Sequence, residues 1–361
     1  MKVMILANFD VGLYKFRREL LEELIRKYEV FFSVPNGEFV KKIEEIGCKF
    51  VPCDFLERHG MNPLKEFQLM GYYRRILKDI KPDIVFTYTI KPNVYGGMAC
   101  ASLGIPYVAN ITGLGTAVEN GGIMQKITLL LYKIGLKKAQ KVFFQNTENR
   151  DFMVNRGVVK VGYDLLPGSG VNLDQYQYLP YPDGDTVDFV FVARVMKEKG
   201  IVQYLDAAKE IRTRHPETRF HICGFCEQDY QAELETLEQQ GIIVYHGLVS
   251  DMTQIYKIAA CTVHPTYYPE GLSNVLLESA ACGRPIITTN RSGCREVVDD
   301  GINGFVVEEK NSQDLIAKIE MFLKLSVDEK RQMGVAGRRK VEKEFNRQIV
   351  IDKYLAEMQR L

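Results

Sequence analysis

Short runs of β-branched and aromatic residues alternate with amphipathic helical stretches along the whole chain, and that alternation leaves few options besides parallel sheets built from βαβ units. In the first half it predicts strands near 2–7, 29–33, 83–87, 106–110 and 141–145, with helices near 13–27, 36–47, 63–80, 91–103, 121–139 and 147–156. The rhythm breaks over 174–186, Asp-Gln-Tyr-Gln-Tyr-Leu-Pro-Tyr-Pro-Asp-Gly-Asp-Thr, which is polar, proline-rich and aperiodic. A second series then runs through strands near 187–192, 218–223, 242–246, 261–264, 285–289 and 304–307. The expectation is an α/β chain of two doubly wound domains, 1–168 and 169–345, facing a central cleft, because ligands of such sheets bind at the carboxyl ends of the strands. A last helical segment, 346–361, is expected to pack back on the first domain.

A chain of 361 residues exceeds what one core usually organises and suits two domains. With 47 Lys and Arg against 46 Asp and Glu, it lacks the basic excess of a nucleic-acid binder, so no nucleic-acid partner is expected. The apolar run at Met1–Ala7 is too short for an export signal and reads as a buried strand, which points to the cytoplasm. No run of eighteen apolar residues occurs. The eight cysteines lie in apolar surroundings and are expected to be reduced, and the pair Cys223 and Cys226 has no second pair at zinc-site spacing. None of the five histidines is paired at ligand spacing, so they read as structural residues and neither a metal nor a cofactor is expected, and no nucleophile elbow suggests a Ser-His-Asp site.

The densest chemistry lies between Pro265 and Pro285. A strand exit and a Pro/Gly loop lead into a helix whose N-cap position falls at Ser273. The N–H groups of Gly271, Leu272, Ser273, Asn274 and Val275 then surround the positive end of a helix dipole, a site for an anion such as phosphate. Glu270 stands before the cap. Glu278 follows two turns into a helix of apolar neighbours, where an unpartnered carboxylate is costly. Arg194 and Lys199, just past the strand at 187–192, offer a guanidinium fork and a point charge able to offset a diphosphate, though solvated surface cations give the same string. Gly224 and Gly247 end strands of the same sheet, where glycine permits close approach of a ligand or simply a turn.

The first half is less specific. Asp10-Val11-Gly12-Leu13 reads as the loop after the first strand, with Lys15, Arg17 and Arg18 following, but no dinucleotide or Walker fingerprint accompanies it. Thr87–Asn93, including Lys91 and Asn93, and Asn110–Gly115, including Asn110, Thr112 and Gly113, leave strand ends rich in hydrogen-bonding groups. They suit an acceptor pocket and equally suit caps and turns. The stretch from Ile123 to Leu136 carries Ile123, Met124, Ile127, Leu130, Leu131 and Ile134 on one face beside Lys126, Lys133, Lys137 and Lys138. Periodicity alone favours burial of that face over a membrane interface.

With these residues in place, the chain resembles the retaining glycosyltransferases of family 4, which have the GT-B fold of two Rossmann-like domains. The resemblance covers nearly the whole chain and is carried by Glu270-Gly-Leu-Ser-Asn-Val-Leu-Leu-Glu278, an E-x7-E motif, with Gly283-Arg284-Pro285, Gly293-Cys294-Arg295-Glu296, the Arg194-x4-Lys199-Gly200 string and the Gly301–Gly304 turn. It implies that Arg194 and Lys199 grip the donor diphosphate, Glu270 the donor sugar and Glu278 the ribose, with backbone near Gly224 and Val249 receiving the base. It implies no metal and no protein nucleophile, since retention is assigned to attack on the leaving-group face. Thr89–Gly96, Asn110–Gly115, Phe144-Gln145-Asn146 and Gly168–Val171 resemble the bacterial branch that builds capsule, O-antigen or lipid-linked oligosaccharide. That branch commonly takes UDP-sugars, often N-acetylgalactosamine or galactose, and undecaprenyl-diphosphate acceptors. Departures are Ala193 where glycine usually precedes the Arg, Asn172 where Asp is common, and Ser273 where proline is frequent.

The resulting expectation is a cytoplasmic transferase, peripheral on the inner membrane face, moving a hexose or N-acetylhexosamine from a UDP-sugar to a polyprenyl-diphosphate-linked saccharide. If the acceptor is lipid-linked, the helix at 123–136 and the basic loop at Lys15–Arg18 gain weight, by resemblance, as a membrane-facing surface, with burial still the other reading. The alternatives are a UDP-sugar 2-epimerase of the same architecture and a sugar-nucleotide-binding subunit without turnover.

Overall fold

The computed structural model describes residues 1–54 and 62–361. They divide into two units, Met1–Ser169 with Pro269–Gly271 and Gln348–Leu361, and Gly170–Tyr268 with Leu272–Arg347. The first unit runs β1 (Lys2–Leu6), α1 (Asp10–Ile25), β2 (Glu29–Val34), α2 (Val40–Ile46), β3 (Lys49–Pro52), α3 (Pro63–Ile80), β4 (Ile84–Tyr88), a π-helical turn at Pro92–Gly96, α4 (Gly97–Leu103), β5 (Tyr107–Ile111), α5 (Thr116–Glu119), α6 (Gly122–Gly135), β6 (Lys141–Phe144), α7 (Thr147–Asn155) and β7 (Tyr163–Leu165). The strands are parallel in the order β3-β2-β1-β4-β5-β6-β7.

Both faces of this sheet are buried, which is why its strands read as continuous apolar runs. Met4 and Leu6 of β1 enter the layer filled by Leu69, Tyr73 and Leu77 of α3 and by Tyr132 of α6. Val3 and Ile5 enter the opposite layer with Leu20, Leu21 and Leu24 of α1. Val350, Ile351, Tyr354 and Met358 of the last helix, which spans Arg347–Met358, belong to that second layer. Tyr354 meets the rings of Phe86 and Phe143 edge-on at 5.0 and 5.2 Å and accepts a 2.5 Å hydrogen bond from Asn110 Nδ2.

The second unit runs β8 (Val187–Val192), a 3-10 turn at Lys197–Lys199, α8 (Ile201–Arg214), β9 (Thr218–Cys223), α9 (Gln231–Gln239), β10 (Val244–Gly247), α10 (Met252–Ile258), β11 (Cys261–His264), α11 (Asn274–Ala281), β12 (Ile286–Thr289), β13 (Gly304–Val307), α12 (Ser312–Leu323) and α13 (Val327–Glu344). Its parallel order is β10-β9-β8-β11-β12-β13. Arg284 is wholly buried and binds the expected linker to this unit, donating from Nη2 to the Pro180 carbonyl and from Nε to the Tyr256 carbonyl, each at 2.7 Å.

Three expectations from sequence change. Strands β3 and β7 lie outside the predicted set: both are short sheet edges, one ending in Pro52 and the other only three residues long, so neither shows a buried apolar run. Helix α1 starts at Asp10, not 13, so Gly12 lies in its first turn and no loop spans 10–13. The apolar face of α6 is not buried. Thr128, Tyr132 and Gly135 face inward, while Ile123, Met124, Ile127, Leu130 and Ile134 are 40–77% exposed. Gly97 and Gly135 explain the rotation, because a Cβ on Gly97 would lie 2.2 Å from the Gly135 carbonyl oxygen, and the close backbone approach selects the glycine side of α6 as its inner face.

Candidate active site

The second sheet reverses its strand order between β8 and β11, the place where doubly wound sheets bind ligands. The loops leaving these two strands carry Arg194 and Lys199 on one side and the approach to α11 on the other. They are laced together: Tyr267 N–H and the Thr266 hydroxyl donate to the Glu198 carbonyl at 2.9 and 3.3 Å. Gly200, at φ 81°, lies so close that a Cβ there would sit 2.1 Å from the Pro265 carbonyl oxygen.

Arg194 pairs with the Glu227 carboxylate, and its guanidinium carbon lies 5.5 Å from the centroid of the Tyr268 ring. Lys199 is buried, with Nζ 4.8 Å from the centroid of the same ring. Burial pushes the Lys199 ammonium down to about 8; Arg194 pushes the same way, while Cys294 and Glu227 oppose it. Burial, with the charge of Lys199 added, lowers His264 to about 3 and keeps it neutral.

Ser273 occupies the N-cap position of α11, but its hydroxyl makes no capping bond. It meets His264 Nε2 at 3.3 Å instead, because a buried neutral imidazole competes for it. The expected side-chain cap is therefore replaced, and the backbone N–H of Ser273 donates to the Gly293 carbonyl. Asn274 and Val275 begin the helix, and Leu272 is buried ahead of it. Glu278 has hydroxyl partners: Tyr256 Oη donates to its Oε2 at 3.5 Å, and Tyr176 bonds to it as well. Burial and the charge of Glu278 drive both phenols far above their ordinary range, so they remain donors.

Gly224 packs under Ala193 and spends its own backbone groups internally. Its N–H donates to the Gly247 carbonyl at 2.7 Å, and its carbonyl accepts from the Tyr245 hydroxyl at 3.0 Å. Val249 is partly buried against the layer of Val190, Val192 and Cys223.

Glu270 and Gly271 belong to the first unit. The Asn146 amide, which also caps α7 by accepting from Asn149 N–H at 2.8 Å, donates to the Gly271 carbonyl at 2.6 Å and the Glu270 carbonyl at 3.2 Å. A Cβ on Gly271 would lie 2.4 Å from the Thr112 carbonyl oxygen, and one on Gly113 would lie 3.3 Å from Gly271 N. Thr112 and Gly113 thus line the loop that holds Glu270.

Other first-unit residues are placed differently from the acceptor set expected from sequence. Asn93 is fully buried, accepting from the Thr87 hydroxyl at 2.6 Å and donating to the Asn110 carbonyl at 2.8 Å, and Asn110 is tied to Tyr354. Both are core residues, since a buried amide must bond where it sits. Lys91 pairs with Glu66 at 2.7 Å. The expected basic loop at Lys15–Arg18 is helical: Lys15 is exposed, Arg17 is buried over the Tyr88 ring, and Arg18 pairs with Glu22.

The family described as Glycosyl transferases group 1 matches residues 181–340, and that described as Glycosyl transferase 4-like matches residues 2–146. The chain is 26% identical to the Campylobacter jejuni N,N'-diacetylbacillosaminyl-diphospho-undecaprenol alpha-1,3-N-acetylgalactosaminyltransferase, over 98% of this chain and 97% of that one. It is 24% identical to the Escherichia coli UDP-Gal:alpha-D-GlcNAc-diphosphoundecaprenol alpha-1,3-galactosyltransferase, over 68% and 67%. Its fold matches the Anabaena protein Alr3699/HepE in complex with UDP-glucose, with a TM-score of 0.80 over 100% and 99% of the two chains at 17% identity. The chain is a glycosyltransferase with the GT-B fold.

This GT-B glycosyltransferase also carries groups around its motif residues that sequence reading passed over: Glu227 on Arg194, Tyr268 beneath both cations, His264 on Ser273, and Tyr176 and Tyr256 on Glu278. No periodicity marks them, because each reaches its partner from another loop or helix. Among the described residues, no three His, Cys, Asp or Glu side chains are grouped to hold a metal ion, none of the eight cysteines is in a disulfide, and Cys226 alone of them is partly exposed.

Proposed function

We propose that this enzyme is a retaining, metal-independent transferase that moves a hexose or N-acetylhexosamine, of galactose or N-acetylgalactosamine type, from a UDP-sugar to an undecaprenyl-diphosphate-linked saccharide. The observation that carries the reading is the convergence of Arg194 and Lys199 on one ring at the β8/β11 reversal. Two cations there match a diphosphate leaving group, and they stabilise its growing charge as the glycosidic bond breaks. The names of the Campylobacter and Escherichia coli relatives support the donor and acceptor classes. In this reading an acceptor hydroxyl oxygen bonds to the anomeric carbon on the face UDP leaves, the carbon–oxygen bond to the diphosphate breaks, and the hydroxyl proton passes to the departing phosphate. Glu270 binds the donor sugar, Glu278 accepts from the ribose hydroxyls, and the N–H groups opening α11 face phosphate. Backbone near Gly224 and Val249 takes the base, with Thr112 and Gly113 on the acceptor side.

Incubation with UDP-N-acetylgalactosamine or UDP-galactose, a polyprenyl-diphosphate saccharide and EDTA is expected to give a product of retained anomeric configuration by NMR. Absence of both transfer and UDP release sinks the reading; an epimerised donor supports the 2-epimerase, and UDP binding without turnover supports a non-catalytic subunit. Glu278→Ala is expected to weaken UDP binding about tenfold, the loss of a charge-assisted hydrogen bond. Unchanged affinity by calorimetry removes Glu278 from the ribose site.

The same reading places the enzyme on the cytoplasmic membrane face through α6. No helix among the described residues is long and apolar enough to cross a membrane. The exposed Ile123, Met124, Ile127, Leu130 and Ile134 lie beside exposed Lys126, Lys133, Lys137 and Lys138, and no acidic residue occurs between Glu119 and Glu148. Such a face suits the interface of anionic lipid. The double variant Leu130→Gln and Ile134→Gln is expected to cut co-sedimentation with phosphatidylglycerol vesicles about tenfold, while its melting temperature holds. Undiminished co-sedimentation rules α6 out.

A further inference from the structure

We infer that Tyr268 is a positioning residue for the donor diphosphate: its ring is the shared support that holds Arg194 and Lys199 together before the anion arrives. This rests on the function proposed above and adds a residue outside the E-x7-E and R-x4-K strings. Two cations directed to one place repel each other, and Lys199 is buried, where its charge is further disfavoured. The negative face of an aromatic ring attracts both and, beside the Glu227 carboxylate on Arg194, adds no second anion to compete with the ligand. Nζ of Lys199 and the guanidinium carbon of Arg194 lie 4.8 and 5.5 Å from the Tyr268 centroid, both within the range of that attraction.

The ring's position is set by its own loop. Tyr268 N–H donates to the Thr266 hydroxyl at 3.2 Å, the Thr266 hydroxyl and Tyr267 N–H reach the Glu198 carbonyl, and Glu198 is covalently next to Lys199. The loop leaving β11 therefore carries the ring to the cations by bonds to their own turn. Glu227 pairs with Arg194 from the side of the loop after β9, and its charge also favours the Lys199 ammonium, so the ring adds to that support from the β11 side.

The test compares Tyr268→Phe, which keeps the ring, with Tyr268→Leu, which keeps apolar bulk and loses the π face. UDP and inorganic pyrophosphate binding are measured by calorimetry, and kcat and KM for the donor are measured across pH. Tyr268→Phe is expected to match the wild type. Tyr268→Leu is expected to bind UDP and pyrophosphate about tenfold more weakly, to raise donor KM more than it lowers kcat, and to move the basic limb of kcat/KM to lower pH as the Lys199 ammonium loses support. Equal affinities and an unmoved limb in Tyr268→Leu overturn the inference, as does a Tyr268→Phe variant as impaired as Tyr268→Leu. Should Tyr268→Leu fail to fold, impaired binding in soluble Tyr268→Phe overturns it and wild-type binding supports it. Wild-type enzyme that binds UDP but transfers no sugar sinks the proposed function alone; wild type that binds neither UDP nor pyrophosphate sinks both.

Discussion

Replacing Lys199 with alanine is expected to lower kcat/KM for the sugar nucleotide about 10²–10³-fold, the scale of removing one donor aimed at developing charge. The buried ammonium sits at the reversal of the second sheet, beside Arg194. Its ionisation adds a second signature. Burial holds Lys199 at about 8, so it is charged below that pH and neutral above it. Because a diphosphate needs the charged form, kcat/KM should be level below pH 8 and fall about tenfold per unit above it, as the free enzyme's titration is what this ratio reports. Lys199→Arg should lose that limb, since guanidinium stays protonated throughout. Stability takes the opposite sign. A lysine whose folded-state value is depressed carries fewer protons than the unfolded chain between about 8 and 10.5, so stability should rise with pH across that window. Donor kinetics and urea unfolding measured from pH 6 to 10 check both signs. A basic limb that survives in Lys199→Arg assigns the titration to another group.

Gly224→Ala is expected to destabilise the protein by about 3–5 kcal/mol, combining backbone strain with overpacking. Its φ is 148°, which L side chains rarely adopt, and the new Cβ would fall 1.8 Å from the Ala193 carbonyl oxygen. That oxygen cannot move alone, because Ala193 N–H donates to the Cys223 carbonyl at 3.1 Å and Arg194 follows directly. The displacement should therefore raise donor KM as well as lower the urea midpoint. Gly241→Ala separates the two causes: its φ of 69° imposes strain, but nothing lies within 4 Å of its Cβ, so a cost of only about 1 kcal/mol is expected. Equal losses in the two variants would show that the contact between the ends of β8 and β9 contributes nothing.

Legibility followed the kind of signal each residue leaves. The six strands of the second sheet were readable because each is an apolar run bounded by turn residues. Edge strands β3 and β7 were not, because one neighbour suffices to form them and no apolar run is required. Arg194, Lys199, Glu270 and Glu278 stood out through spacing within single strings. Asn93 and Asn110 carried the same type of signal, polar residues at strand ends, yet they serve the core. Residue type cannot distinguish an amide bonded inside a sheet layer from one offered to a ligand.

The sequence by itself determined that the chain makes two parallel α/β sheets and that one loop-to-helix stretch, Pro265–Pro285, carries paired carboxylates near a helix start. These follow from period, turn chemistry and local spacing, which are properties of neighbours along the chain. Only the tertiary structure decided that α6 turns its apolar face outward, that Ser273 gives its hydroxyl to His264, that Glu278 is met by two tyrosines, and that Tyr268 underlies both cations. Each depends on contacts between segments far apart in sequence, through glycine-permitted backbone approach, a buried imidazole or a shared ring. Such contacts have no periodicity and exist only once the sheets and their loops are packed.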